Sequence, residues 1–272
     1  MKKERGQVLL IVIMLVATVI TVVLSMSFQS TTDTKLAKLE EESQRALAAA
    51  EAGIEAAIKE KTNVSFGTGS LTNLGGFTGG ATIASLTSEE FLTPLLQKDE
   101  QYSFYLSTPA NNPPNDPDFT TLTPAYNNKD LTICFGAANT QTAIEVAVLK
   151  QSNQIKRYVV NPVEGTVVSN ALSGSAVNSG NCPNNSPAFS SKYVVPAADL
   201  GTDSLLLIVR VINASQSSYK IGFKAVSGTN LPLQGKTISS QATSTSGVSK
   251  KIQLFQSYPQ IPSDFFITNF SL

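Results

Sequence analysis

The chain has no histidine and no tryptophan, and only two cysteines and three methionines among its 272 residues; its 20 Lys+Arg are matched by 20 Asp+Glu. Imidazole is the usual general base, a member of most nucleophilic triads and the commonest metal ligand, so its absence excludes His-dependent hydrolases and His-ligated zinc or haem sites. A net charge of zero leaves no overall field to draw the molecule to nucleic acid or anionic lipid. Charged residues make up 15% of the chain, against about 25% in an ordinary soluble domain. That deficit is unevenly placed.

Between Gln7 and Thr32 no side chain is charged. As helix these 26 residues extend roughly 39 Å, and about 20 apolar residues cross a bilayer core. Val8, Leu9, Leu10, Ile11, Val12, Leu15 and Val16 open a stretch that is apolar all round, unlike the one-sided stripe of a soluble helix. At about 0.3–0.6 kcal/mol for each Leu, Ile, Val or Phe at the membrane centre, its insertion is favourable by several kcal/mol. Lys2, Lys3 and Arg5 precede the run and only Glu4 opposes them, so the positive-inside bias keeps the amino end cytoplasmic and faces the rest outward. A secretory signal has a shorter apolar core, about 7–15 residues, and a small-residue cleavage site after it. No such site follows Leu24, so the segment is expected to stay as a single-pass anchor in the cytoplasmic membrane, with residues 7–28 spanning it.

The helical pattern continues past the apolar run. No proline occurs before Pro94, and Asp33 to Ile58 are mostly strong helix formers. Leu36, Leu39, Ser43, Leu47, Ala50, Ile54 and Ala57 recur at spacings of three and four, which predicts one face packing on the outer domain. The expected element is a single helix over residues 7–62, about 80 Å long at 1.5 Å per residue. One domain of about two hundred residues cannot cover it, so its first half has to be covered by lipid or by copies of itself.

The residues around the helix resemble those of type IV pilins. Lys2-Lys3-Glu4-Arg5-Gly6-Gln7 before Val8-Leu9-Leu10-Ile11-Val12 resembles the short basic prepilin leader that ends in glycine. Arg45-Ala46-Leu47-Ala48-Ala49-Ala50-Glu51-Ala52-Gly53-Ile54-Glu55-Ala56-Ala57 resembles the signature of PilX-type minor pilins. The resemblance implies that residues 1–6 are a leader removed by a prepilin peptidase after Gly6, and that Gln7 becomes a mature, often methylated, amino terminus. It further implies a pilus assembly platform and other pilin subunits as partners, and a cell-surface filament as destination. One position departs from the major pilins: where they carry Glu, five residues into the mature chain, this sequence has Ile11. PilX-type pilins and the K-type minor pseudopilin of type II secretion share that lack, which points to a minor or tip subunit.

Beyond Lys61 the sequence turns to Ser, Thr, Asn, Gly and Pro with short β-type runs. Gly67, Gly69, Gly75, Gly76, Gly79 and Gly80 read as a flexible entry region, and Thr87 to Leu92 as a short capped helix. Strands are expected over Tyr102–Ser107 and Leu131–Phe135, with hairpins formed by Ala143–Lys150 and Gln154–Asn161, by Ser204–Asn213 and Tyr219–Val226, and by Lys236–Ser244 and Val248–Phe255. Cys134 and Cys182 are expected to pair outside the cytoplasm, closing a loop of roughly 50 residues; two unrelated buried thiols are the alternative. Asn115-Asp116-Pro117-Asp118 lacks the pattern of a calcium loop and reads as a solvated turn. Glu145 and Glu164 are too isolated for a carboxylate pair, and Lys156-Arg157 and Lys250-Lys251 read as solvated strand edges. Asn184-Asn185-Ser186 and Asn213-Ala214-Ser215 match a glycosylation pattern of little weight here.

The expected class is α+β: a long N-terminal helix, transmembrane and then amphipathic, packed on a mostly antiparallel β-rich extracytoplasmic domain over residues 63–272. The expected role is structural, a minor subunit of a type IV pilus-like filament displayed for assembly or adhesion, with no catalytic residue, metal, cofactor or nucleic acid. The alternatives are a minor pseudopilin of a secretion or competence system and a signal-anchored surface binding protein that never polymerises.

Overall fold

A computed structural model of the chain describes residues 5–85, 87–110, 117–137, 141–163, 165–178, 180–183, 189–213 and 219–262. Helix α1 (Arg5–Glu60) comes first. It is followed by strands β1 (Val64–Ser65), β2 (Phe77–Ala84), β3 (Glu90–Leu92), β4 (Gln101–Tyr105), β5 (Ser107–Ala110), β6 (Asp118–Pro124), β7 (Leu131–Ala137) and β8 (Ala143–Lys150). Then come β9 (Ile155–Asn161), β10 (Leu172–Ser173), β11 (Ser175–Ala176), β12 (Phe189–Val195), the single turn α2 (Ala197–Leu200), β13 (Ser204–Asn213), β14 (Gly222–Ala225), β15 (Gly235–Ser244) and β16 (Ser249–Ser257). The fold is α+β, and every pairing with a described register is antiparallel except β9 with β10.

By their contacts the residues fall into two compact units, 1–82 with 239–253 and 83–238 with 254–272. The division therefore does not lie at residue 62, where composition changes. Segment 63–82 stays with the helix because it supplies the helix's core: Phe66 and Leu71 join Ala49, Ala50, Ala56 and Ala242 in one buried cluster. In this first unit α1 packs against the sheet β1-β2-β15-β16.

The contact is made by small residues. Ala46, Ala49, Ala50, Ile54 and Ala57 are buried, and a Cβ added at Gly53 would lie 2.5 Å from Ser240 Oγ and 3.2 Å from the Phe66 ring. Glycine is thus required by close approach. Of the face expected from periodicity, Ala50 and Ile54 pack as predicted, but Leu36, Leu39 and Leu47 are 58%, 52% and 41% exposed. Leu36 and Leu39 precede Glu42, which accepts a hydrogen bond from Ser246 on the β15–β16 turn. Leu47 lies one residue beside the stripe, where a large side chain would hold helix and sheet apart.

The glycine-rich segment is ordered rather than a flexible entry. Residues Gly69–Leu74 form a 3₁₀ turn, and Gly79 and Gly80 lie inside β2 with φ of 113° and 159°. A Cβ at either would approach a backbone oxygen, Gln241 O at 2.1 Å or Val64 O at 2.2 Å. Close backbone approach on both sides of β2 explains the pair.

The second unit contains two five-stranded sheets, β10-β9-β8-β13-β4 and β11-β12-β7-β14-β3. Alternate residues of both face one core: Ile144, Val146 and Val148, Leu207, Val209 and Val211, and Leu131, Ile133 and Phe135. That period of two makes a sandwich. The β8–β9 hairpin forms as expected, but β13 and β14 do not pair: β13 lies between β8 and β4, and β14 between β7 and β3. Both strands are adjacent in sequence and amphipathic, and the core between sheets covers their apolar faces better than pairing side by side would. No helix forms over residues 87–92: 87–89 are irregular and 90–92 are strand β3. The Ser88 hydroxyl accepts the Glu90 N–H at 3.1 Å, a local turn, after which Phe91 stacks near Tyr102, Phe104 and Phe223.

Part of the sandwich's edge backbone is covered. On one side the segment Leu172–Ala176 serves both sheets, as β10 on β9 and as β11 on β12. On the other, the outward backbone of β4 is met by two glutamine amides. Gln234 accepts from Tyr105 N–H at 2.8 Å and donates to Tyr105 O at 2.8 Å; Gln260 accepts from Ser103 N–H at 2.7 Å and donates to Ser103 O at 3.4 Å. Each amide stands in for one residue of a further strand.

Candidate functional site

The described side chains carry no convergent chemistry. Among the described residues no three of His, Cys, Asp and Glu gather where they could hold a metal. Glu145 pairs with Arg157 and lies 3.9 Å from Arg210; Lys156 and the Tyr158 hydroxyl both engage Asp199. These contacts hold Asp199 below the usual carboxylate range, the Lys156 hydrogen bond first. Lys156 and Arg157 are exposed, as expected of a solvated edge, on the part of β9 that β10 does not cover, and both are ion-paired. Asp118 accepts from the Thr120 hydroxyl and N–H at 2.7 and 2.9 Å, which closes a turn into β6. Residues 115, 116, 164, 184–186, 214 and 215 lie outside the described residues.

What stands out is the first half of α1. Leu9, Leu10, Ile11, Val12, Leu15 and Val16 are 50–63% exposed, and none of the most apolar stretch is buried. Fifteen large apolar side chains between Leu9 and Phe28 share this condition. At about 1 kcal/mol for each half-exposed side chain, leaving them in water costs on the order of 15 kcal/mol, more than a typical fold has to spare. This helix is a candidate single membrane span.

Its threonine hydroxyls bond back to the helix's own carbonyls. The Thr18 hydroxyl donates to Leu15 O at 2.9 Å and the Thr21 hydroxyl to Thr18 O at 2.8 Å; Thr31, Thr32 and Thr34 bond back one turn to Ser27, Phe28 and Ser30. The helical backbone and these threonine hydroxyls thus need no water, as residence in lipid requires. The spacing of Thr18 and Thr21 was a usable signal that periodicity alone overlooked.

Gly6 and Gln7 lie in the first turns of α1, and Met1 to Glu4 are outside the described residues. From Phe28 to Glu42 the helix has no partner among the described residues over about 21 Å, so Leu36 and Leu39 extend the uncovered surface beyond the apolar run. Cys134 and Cys182 form a disulfide, Cα to Cα 5.9 Å, buried beside Phe189, Leu92 and Val177. No protein-family model, no curated protein and no solved structure matches the chain.

Proposed function

We propose that the chain is a structural subunit of a type IV pilus-like filament, a minor or tip subunit in view of Ile11, held in the cytoplasmic membrane before assembly. The observation that carries this reading is the helix: 56 residues long, apolar and uncovered in its first half, and seated against a sheet only from about Glu42 onward. The basic leader-like segment ending at Gly6 and the signature from Arg45 to Ala57 support it.

Assembly on this reading exchanges lipid for neighbouring helices around Val8 to Leu24. Because lipid is as apolar as a helix, the exchange gains little from hydrophobicity, so packing and an assembly motor supply the bias. Other pilin subunits, a prepilin peptidase and an assembly platform are the partners it requires. Mass spectrometry of the mature protein tests it: a chain beginning at Gln7 is expected, and retention of Met1 would overturn it. Recovery from sheared surface filaments separates a pilus subunit from a pseudopilin.

A further inference from the structure

Helix α1 packs on one face of the sheet β1-β2-β15-β16. Phe66, Phe77 and Ala242 belong to or pack against its buried cluster, and Ser240 meets Gly53. By the period of two, Ser65, Thr78, Thr82, Ser239, Gln241 and Thr243 stand on the opposite face. There they line an open groove of about 650 Å³ that lies wholly within the first unit. Its floor is bare backbone. Thr78 and Thr82, about 13 Å apart along β2, flank Gly80, whose partner on β1 is Ser65, so a position ringed by side chains carries none.

The walls offer hydroxyls and amides held on paired strands. The Thr78 hydroxyl donates to Thr243 O and the Thr82 hydroxyl to Ser239 O, each at a long 3.4 Å, so both can turn to a closer acceptor at little cost. Gln241 Nε2 donates to Ser249 Oγ at 3.1 Å, which holds that amide in place. Lys251 is the one charged side chain of the lining, and no carboxylate or aromatic ring accompanies it among the described residues. Of the two apolar lining residues, Val64 packs against the helix's cluster and Ala81 is fully buried, so a lipid or an apolar peptide finds no wall to cover. A metal ion finds no carboxylate, and a nucleic acid needs a row of cations. A phosphate or sulfate ester calls for several N–H donors, and those of the strands are engaged in the ladder. A polyhydroxylated chain both gives and accepts hydrogen bonds, and one carboxylate on it matches the single ammonium.

We propose that this groove binds an acidic glycan, a polysaccharide segment whose sugar carboxylate pairs with Lys251 while ring hydroxyls exchange hydrogen bonds with Thr78, Thr82 and Gln241, and one ring rests on the backbone at Gly80. The groove's volume lies within the roughly 300–1,000 Å³ of small-molecule sites. Strand pairing sets the spacing of the polar groups before the ligand arrives, so little ordering opposes binding. The site goes beyond the filament reading: it needs the sheet to lie outside the cytoplasm, and neither polymerisation nor removal of a leader.

The full chain in detergent, applied to an array of immobilised neutral, carboxylated and sulfated oligosaccharides, tests it. The expected result is binding to carboxylated members in preference to neutral ones of the same backbone. Lys251→Gln should lower that preference about tenfold, the worth of one charge-assisted hydrogen bond, and Gln241→Ala should weaken binding to carboxylated members. Both positions are exposed, so the denaturation midpoint is expected to stay at the wild-type value, which separates lost binding from lost fold. Lys98→Gln, an exposed lysine of the second unit, is expected to leave binding unchanged. Failure of every carboxylated member to bind, equal binding of neutral members, preference for sulfated ones, or equal effects of Lys98→Gln and Lys251→Gln overturns the proposal. None of these outcomes alters the mass of the mature amino terminus, so this proposal and the filament reading fail separately.

Discussion

Replacing Gln234 with leucine removes an amide that makes three hydrogen bonds, accepting from Tyr105 N–H and donating to Tyr105 O and Pro232 O, each at 2.8 Å. Both residues are 5% exposed, so water cannot replace the lost partner. Two orphaned backbone groups of Tyr105 cost about 1–3 kcal/mol each. Leucine returns about 1–2 kcal/mol, because it is apolar and no amide has to be buried. The expected net loss is about 2–4 kcal/mol. Gln260→Leu, at an exposed position and with a longer second bond of 3.4 Å to Ser103 O, is expected to cost less than Gln234→Leu. Gln234→Glu adds a second readout. When ionised it loses the donor and places a buried charge against two carbonyls, so its folded-state pKa rises above the unfolded value; when protonated it reproduces the amide's donor and acceptor. Its stability should therefore be nearest to wild type at low pH and fall as pH rises through the folded pKa. Urea denaturation of the full chain in detergent, followed by tyrosine fluorescence since there is no tryptophan, measures all three. Equal midpoints for Gln234→Leu and Gln260→Leu, together with a Gln234→Glu midpoint that follows wild type from pH 4 to 7, would refute the idea that side-chain amides complete the β4 edge.

Gly53→Ala is expected to destabilise the helix–sheet packing of the first unit by about 1–3 kcal/mol, as overpacking does. Ser240→Ala should recover part of that loss, because it removes the nearest atom and a buried hydroxyl without a partner among the described residues. Hydrogen exchange across residues 46–57 in the single and double variants checks it. Cys134→Ser with Cys182→Ser should cost about 4 kcal/mol in the chain-entropy description of a loop with separation 48, read as a lower denaturation midpoint than that of the oxidised protein. Burial raises Tyr105 to about 12 and lifts Tyr102, Tyr126, Tyr158, Tyr193 and Tyr258 above their ordinary 10.0. A folded pKa above the unfolded one contributes stability that is complete below pH 10 and lost above it. Near-ultraviolet tyrosinate absorbance should thus rise together with loss of strand signal in circular dichroism; titration near pH 10 with the strands intact would contradict this.

The uncharged run from Gln7 to Thr32 and the absence of proline before Pro94 made the long helix legible, because both act through local physics. Its packing face was read only in part: large residues were taken to mark the buried side, whereas a helix this close to a sheet buries Ala46, Ala49 and Gly53 and leaves Leu36, Leu39 and Leu47 outside. Strands with alternating residues, such as Ala143–Lys150, were readable for the same local reason. Their partners were not, since choosing between hairpin and sandwich for Ser204–Asn213 and Gly222–Ala225 depends on which distant strands cover them. The roles of Gln234 and Gln260 were invisible, because a polar residue 129 positions from Tyr105 gives no sequence signal of meeting it.

The segment Leu172–Ala176 has a mechanical consequence. Because it bonds to β9 of one sheet and β12 of the other within five residues, a load that peels the two sheets apart at this end must break both ladders before either sheet moves. The clasp turns at Gly174, where a Cβ would come within 2.7 Å of Asn161 O and 3.3 Å of the Phe135 ring. Any side chain there would loosen the clasp, so the resistance of this end of the sandwich to traction depends on a single missing methyl group.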